Sequence, residues 1–210
     1  MREVSILGVG STRFGRHDEV AIDDLAAEAA RAALAESGIE PARIGALYLG
    51  NFVGGMLTGQ EVLAGLVGEA LGLGNVPCTK VEGACASGGI AFRHACLAVS
   101  AGLTDAAIAV GVEKMTHASN PRITESLNSA MDNRADASSG LTFPGLFGMA
   151  YRLYAARYGA TRDQVSSVVV KNKRNGLANP LAQMGAELTL EDVSGSKPIA
   201  DPLRLRRVDA

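Results

Sequence analysis

Tryptophan is absent from this 210-residue chain, and aromatic residues of all kinds make up only 4%. A core must therefore be assembled from Ala, Val, Leu, Ile and Gly, which pack as small, closely spaced units. Neither sign of charge dominates: 20 basic against 22 acidic residues leave a formal net charge of -2. That balance excludes general nucleic-acid binding, which needs a basic face. The one basic cluster, Arg204, Arg206 and Arg207, reads as a solvated tail. Only three cysteines occur, Cys78, Cys85 and Cys96, an odd set without paired spacing. They form no disulfide framework and suit a reducing compartment. No apolar run reaches the ~18 residues that cross a bilayer. The start, Met1-Arg2-Glu3-Val4, leads into no continuous apolar stretch of a signal peptide. A soluble cytoplasmic protein with no membrane span is the expectation. The three histidines, His17, His94 and His117, are far apart, and no clustered metal ligands or Walker loop occur.

What is present is apolar and glycine-rich: 47% hydrophobic residues and 25 glycines. Short apolar runs alternate with amphipathic ones. Val4–Gly10, Ile44–Leu49, Pro77–Val81 and Ala106–Val112 read as strands, the last apolar throughout. Between them, Ala21–Ser37, Gln60–Leu71 and Ala84–Ala101 carry helical spacing, with Gly38, Gly72 and Gly102 as stops. Strand–helix alternation with fully apolar strands predicts an α/β fold, a parallel or mixed sheet covered by helices on both faces. The character changes after Met115. Residues 116–145 are rich in Ser, Thr, Asn, Asp, Gly and Pro and read as a long excursion. Helices are predicted over Gly148–Tyr158 and Thr161–Leu177, Thr161 serving as N-cap. Leu181–Val208 reads as irregular.

The chemistry concentrates in Val81-Glu82-Gly83-Ala84-Cys85-Ala86-Ser87-Gly88-Gly89-Ile90. An apolar strand runs into a cysteine that opens a helix. A helix start carries unpaired N–H groups and partial positive charge, a setting that favours a reactive thiolate and can hold a developing oxyanion. Gly83, Ala86, Gly88 and Gly89 leave room for a bulky thioester. The competing reading of any lone cysteine is a buried small hydrophobe, and Cys78 and Cys96, away from a helix start, are read that way. Gly8-Val9-Gly10 is no dinucleotide fingerprint, because Arg13 stands where the third glycine belongs and a charged loop follows. His94, nine residues beyond Cys85 on the same helix, is out of place as its base.

The run Val81–Thr116, VEGACASGGIAFRHACLAVSAGLTDAAIAVGVEKMT, resembles the nucleophile helix and following strand of thiolases, nearest to the sterol-carrier-protein-type and archaeal acetyl-CoA acetyltransferase branch. Gly50-Asn51 with Gly59-Gln60 resembles the segment that precedes that helix. Thr142-Phe143-Pro144 with Met149-Ala150, Val170-Lys171-Asn172 with Asn179-Pro180, and Pro198–Leu203 resemble the branch's loop domain. The resemblance implies a thiolase-like mixed sheet in residues 1–115, a mostly helical, CoA-binding loop domain in 116–200, and in 201–210 the start of a link to a further C-terminal thiolase domain. It implies an acyl-CoA acyltransferase of lipid metabolism in which Cys85 takes the acyl group as a thioester, with condensation or thiolysis following. Met149, with Phe147 and Gly148, would line the pantetheine channel. Acyl-CoA and coenzyme A would be substrates, with no metal or redox cofactor, and the assembly a homodimer or homotetramer. The family's Gly-His-Pro histidine and its Cys-x-Gly cysteine do not occur in this sequence. Without base and proton acceptor the chain alone should lose most of the rate, unless a second chain supplies them. Two other readings stand beside this one: a non-catalytic CoA-binding scaffold subunit paired with another thiolase-like chain, and a condensing enzyme of the ketoacyl synthase or lipid-transfer-linked aldolase kind.

Overall fold

The computed structural model describes residues 2–208, so the end of the predicted 201–210 link lies outside the described residues. The chain divides into two compact units. The first comprises Arg16–Leu127 with the stretch ending at Thr12; the second comprises Arg13–Gly15 with the chain from Asn128 onward.

In the first unit, α1 (Ile22–Ser37) forms because Ile22, Leu25, Ala26 and Ala30 recur on one face and are buried there. Gly38 ends it at φ 66, where its N–H bonds the Leu34 carbonyl at 3.1 Å. Next come β1 (Ala46–Gly50), a short α2 (Gly54–Thr58), α3 (Leu63–Ala70), β2 (Cys78–Val81), α4 (Ser87–Ser100) and β3 (Ala107–Gly111). The three strands stand in the order β2-β1-β3 and pair in parallel, with Leu47 opposite Cys78 and Ile108. This is the expected α/β class, with the sheet parallel rather than mixed among the described residues.

Alternation along the strands sends residues to two faces. Leu47, Leu49, Ile108 and Val110 point to one side and join Ile22, Ala26, Ala30, Leu63 and Val67 of α1 and α3 in the main core. Each Leu, Ile or Val among them, fully buried, contributes about 1.5–3 kcal/mol. The other face receives α4 through its buried Ala91, Ala95 and Ala98. Beside the Tyr48–His94 ring contact, this packing depends on backbones lying close. A Cβ at Gly50 would collide with the Ser87 backbone, and one at Gly111 would stand 3.6 Å from Gly88 Cα.

The run Val4–Gly10, expected as a strand, forms none. Ile6, Leu7 and Val9 remain largely exposed, and the Val9 amide donates to the Glu36 carboxylate instead of to a neighbouring strand. Apolarity makes a segment fit for burial, but only a ladder partner makes it a strand. Here Gly8 and Gly10 lie against the backbone of α1, and a cavity of about 350 Å³ separates the run from β3.

The excursion after Met115 is more ordered than its composition predicts, for it contains α5 (Asn120–Asn128). Pro121 falls in the first turn, where a missing N–H does no harm, and Arg122 pairs with Glu125 one turn on at 2.8 Å. In the second unit, α6 (Phe143–Tyr158) starts earlier than predicted. Thr142 caps it by accepting from the Gly145 amide. In α7 (Arg162–Leu177), Thr161 and Gln164 form the reciprocal capping box that their spacing predicts.

The stretch read as irregular also holds structure: α8 (Leu190–Gly195), the antiparallel pair β4 (Pro198–Ala200) and β5 (Leu203–Arg204), and α9 (Leu205–Val208). Val169, Val193 and Leu203 are buried in this unit. A second capping box, Thr189 with Asp192, starts α8. Hydrogen bonds from the Thr189 amide and hydroxyl hold the Asp192 carboxyl below the usual carboxylate range. A lowered acid pKa adds stability above the unfolded value, and that stability is lost as pH falls through the folded one. Asp192→Asn should therefore lower the melting temperature at neutral pH, with the gap to wild type closing in acid. A melting series across pH checks this.

Candidate active site

Cys85 does not itself open the long helix. It sits in a 3-10 turn, Ala84–Ala86, between the end of β2 and the first residue of α4, and its side chain is exposed. The turn is sharp. Ala84 has φ 48, the left-handed region that a residue with a Cβ rarely enters. Three bonds hold it there. Ser87 Oγ accepts from the Gly83 amide at 3.0 Å and donates to the Ala84 carbonyl at 2.7 Å, and the Glu82 carboxylate accepts from the Ala84 amide. The Ala86 amide also bonds the Gly83 carbonyl at 2.9 Å. Backbone strain next to a nucleophile candidate in a strand-to-helix turn is a mark of functional sites. No side chain caps α4 at Ala86, and its first amide, that of Ser87, bonds the Ala84 carbonyl. Nothing stands within 4 Å of where a Cβ at Gly89 would be, so the approach over that first turn is open.

The elbow lies at the carboxyl ends of the parallel strands, the edge where α/β sheets bind ligands. The loops leaving the other two strands are tied together there. Asn51, 1% exposed, donates to the Val112 carbonyl at 2.9 Å and accepts from the Gly54 amide at 3.2 Å. The Glu113 carboxylate accepts from the amides of Phe52 and Val53. Glu113 is exposed as a residue, yet desolvation at its carboxyl raises its pKa above the ordinary value, with those amides, Lys80 and Asn51 pulling the other way. These contacts are rigid scaffolding around the Cys85 turn.

Neither of the other cysteines has such a setting. Cys78, on β2 against Gly68, is partly buried, and desolvation pushes its thiol up. Cys96 lines the cavity beside β3. Iodoacetamide should therefore label Cys85 first and Cys78 last, by about tenfold or more given the dependence of alkylation on exposed thiolate. Peptide mapping over time reads this order directly, and equal labelling of all three would contradict it. His94 donates from Nδ1 to the Ile90 carbonyl at 2.8 Å and packs on Tyr48, while His117 Nε2 lies 3.0 Å from the Leu57 carbonyl. Among the described residues no group of His, Cys, Asp and Glu could hold a metal ion, and no helix is long and apolar enough to cross a membrane.

Phe147, Gly148 and Met149 fall on one turn of α6 in the second unit. Phe147 and Met149 are 63% and 54% exposed, whereas Gly148 is buried where a Cβ would come within 3.2 Å of the Ala200 and Asp201 carbonyls. Gly148 thus admits the β4–β5 connection close to α6. Neither the strain at Ala84 nor the Ser87 clamp has a signature in the sequence. Small residues around Cys85 signalled room but not backbone conformation.

A family model described as the thiolase N-terminal domain matches residues 4–198. The chain belongs to the thiolase family. It is 42% identical over 205 residues to an acetyl-CoA acetyltransferase of Methanothermobacter thermautotrophicus, covering 98% of this chain and 53% of that protein. It is 37% identical to the benzoylsuccinyl-CoA thiolase subunit BbsB of Thauera aromatica, covering 98% of this chain and 52% of that protein. Among solved structures, an Ltp2–ChsH2(DUF35) aldolase superposes with a TM-score of 0.72 at 27% identity, over 96% of this chain and 50% of that one. An acetyl-CoA acetyltransferase from Syntrophomonas wolfei, at TM-score 0.58 and 20% identity over 82% of this chain and 46% of that one, shares the fold. The chain spans about half the length of the curated thiolase relatives it matches.

Proposed function

We propose that Cys85 is the acyl-accepting nucleophile of a thiolase-type reaction on coenzyme A thioesters. The observation that carries the reading is an exposed thiol on a strained elbow ahead of an uncapped helix start. The thiolate attacks the acyl carbonyl, and the partial positive charge at the start of α4 favours the negative charge developing on its oxygen. The carbon–sulfur bond to coenzyme A then breaks, the acyl group stays on Cys85 as a thioester, and coenzyme A leaves as a thiolate that takes up a proton. In the condensing direction a second acyl-CoA gives up an α-proton to a base, and its carbanion attacks the thioester and releases Cys85. Gly-His-Pro and Cys-x-Gly do not occur in these 210 residues, and His94 and His117 bond backbone carbonyls, which favours a base supplied by a second chain.

The exposed Phe147 and Met149 turn offers an apolar seat for the pantetheine arm, with Gly148 fixing the spacing behind it. No cofactor beyond the thioester substrate is required, and a homodimer or homotetramer in the cytoplasm is the expected setting. A two-chain arrangement is favoured by the relatives: one is named a thiolase subunit, and one structure joins two differently named proteins. The test is mass spectrometry of the chain after acetyl-CoA, alone and with any copurifying partner. An acetyl mass on the Cys85 peptide is expected. Its absence in both samples, or its appearance only elsewhere, would sink the reading.

A further inference from the structure

We infer that Ser87 is a positioning residue for Cys85, holding the strained elbow so that the thiol meets an acyl carbonyl in one fixed geometry. The inference rests on the nucleophile reading above. Ser87 is 4% exposed, and its hydroxyl is engaged on both sides, accepting from the Gly83 amide at 3.0 Å and donating to the Ala84 carbonyl at 2.7 Å. This is not the usual work of a helix-start serine, which accepts from an amide further along its own helix. The cap position of α4 is Ala86, and the Ser87 oxygen reaches backward instead. Its two bonds close a loop of backbone in which Cys85 and Ala86 are the enclosed residues. At the same time they hold the two peptide units that flank the Gly83–Ala84 peptide, and so fix Ala84, where φ turns positive. An alanine left alone would relax out of that region. Removing the hydroxyl leaves the Glu82 carboxylate as the one side chain of the three bonds still holding Ala84, so the turn relaxes and Cys85, next in the chain, moves with it.

The experiment measures acetyl transfer from acetyl-CoA to Cys85, iodoacetamide alkylation of Cys85 and the thermal midpoint, for wild type, Ser87→Ala, Ser87→Thr, Ala84→Gly and the Ser87→Ala/Ala84→Gly pair. Acyl transfer needs aligned atoms, so Ser87→Ala should slow it by roughly tenfold to a hundredfold. Alkylation by a small reagent needs mainly exposure and should change by less than about threefold. Ser87→Thr, which keeps the hydroxyl, should restore transfer. Glycine occupies the left-handed region without strain, so in the Ala84→Gly background the loss on removing the hydroxyl should shrink by about threefold or more. A simple packing role would give the same loss in both backgrounds. If Ser87→Ala does not fold, the threonine variant and the double variant decide. Wild-type transfer in Ser87→Ala, or an equal loss in both backgrounds, overturns the inference. Failure of wild type itself to gain acetyl on Cys85, with Cys85 still alkylated, overturns the nucleophile reading and the role of Ser87 with it.

Discussion

Replacing Cys85 with alanine is expected to lower acetyl transfer and any thiolysis activity of the assembled protein by at least about three orders of magnitude, the usual consequence of deleting a covalent nucleophile. The fold should barely notice. Cys85 is exposed in a turn, so no cavity opens and the unfolding free energy from urea titration should stay within about 0.5 kcal/mol of wild type, as for other surface substitutions. Loss of activity with intact stability separates chemistry from structure. It also separates the two main readings. A non-catalytic scaffold subunit predicts that Cys85→Ala leaves the assembly's activity unchanged, because the thioester would form on another chain. Cys85→Ser sharpens the comparison, since a hydroxyl without an adjacent base is a far weaker nucleophile than a thiol at the same place.

The second large effect is structural and lies across the sheet from the main core. Gly50→Ala should destabilise the chain by about 3 kcal/mol or more, at the upper end of overpacking costs. A Cβ at Gly50 would overlap the carbonyl and amide atoms where Ser87 joins Gly88. These are backbone atoms at the start of α4, so no side chain can rotate away, and the helix must lift from β1. Lifting it displaces the Cys85 turn as well, so acyl transfer should fall together with stability. Gly89→Ala, one position further along the same helix, is the control. The space around it is open, and alanine in a helix is favoured over glycine by at most about 0.5–1 kcal/mol. Urea denaturation of both variants should give shifts of opposite sign. A neutral Gly50→Ala would show that the close approach of β1 and α4 is not needed.

Much of this protein was legible in residue order because the signals are local. The i, i+3, i+4 spacing of Ile22, Leu25, Ala26 and Ala30 specifies which side of α1 is buried. Thr161 and Gln164 stand three apart as a capping box requires, and the helix begins there. The small residues flanking Cys85 marked an approach with room in it. Residue order misleads where a segment's fate depends on something distant. Val4–Gly10 has the composition of a strand, but no strand pairs with it here, so its apolar side chains stay largely exposed. Residues 116–145 have the composition of a loop, yet Asn120–Asn128 is helical, because intrinsic propensity is a weak prior that local pairing and packing override.

The Cys85 elbow divides along the same line. The sequence by itself determined that a lone cysteine lies between a short strand and a helix of small residues, because helix and strand periodicities are written along the chain. Only the tertiary structure decided that Cys85 stands one turn ahead of α4, on a bend strained at Ala84 and clamped by Ser87. It also decided that the loops after β1 and β3, joined through Asn51 and Glu113, meet at the same edge of the sheet. A left-handed φ and bonds spanning sixty residues arise from three-dimensional closure, which no local pattern encodes.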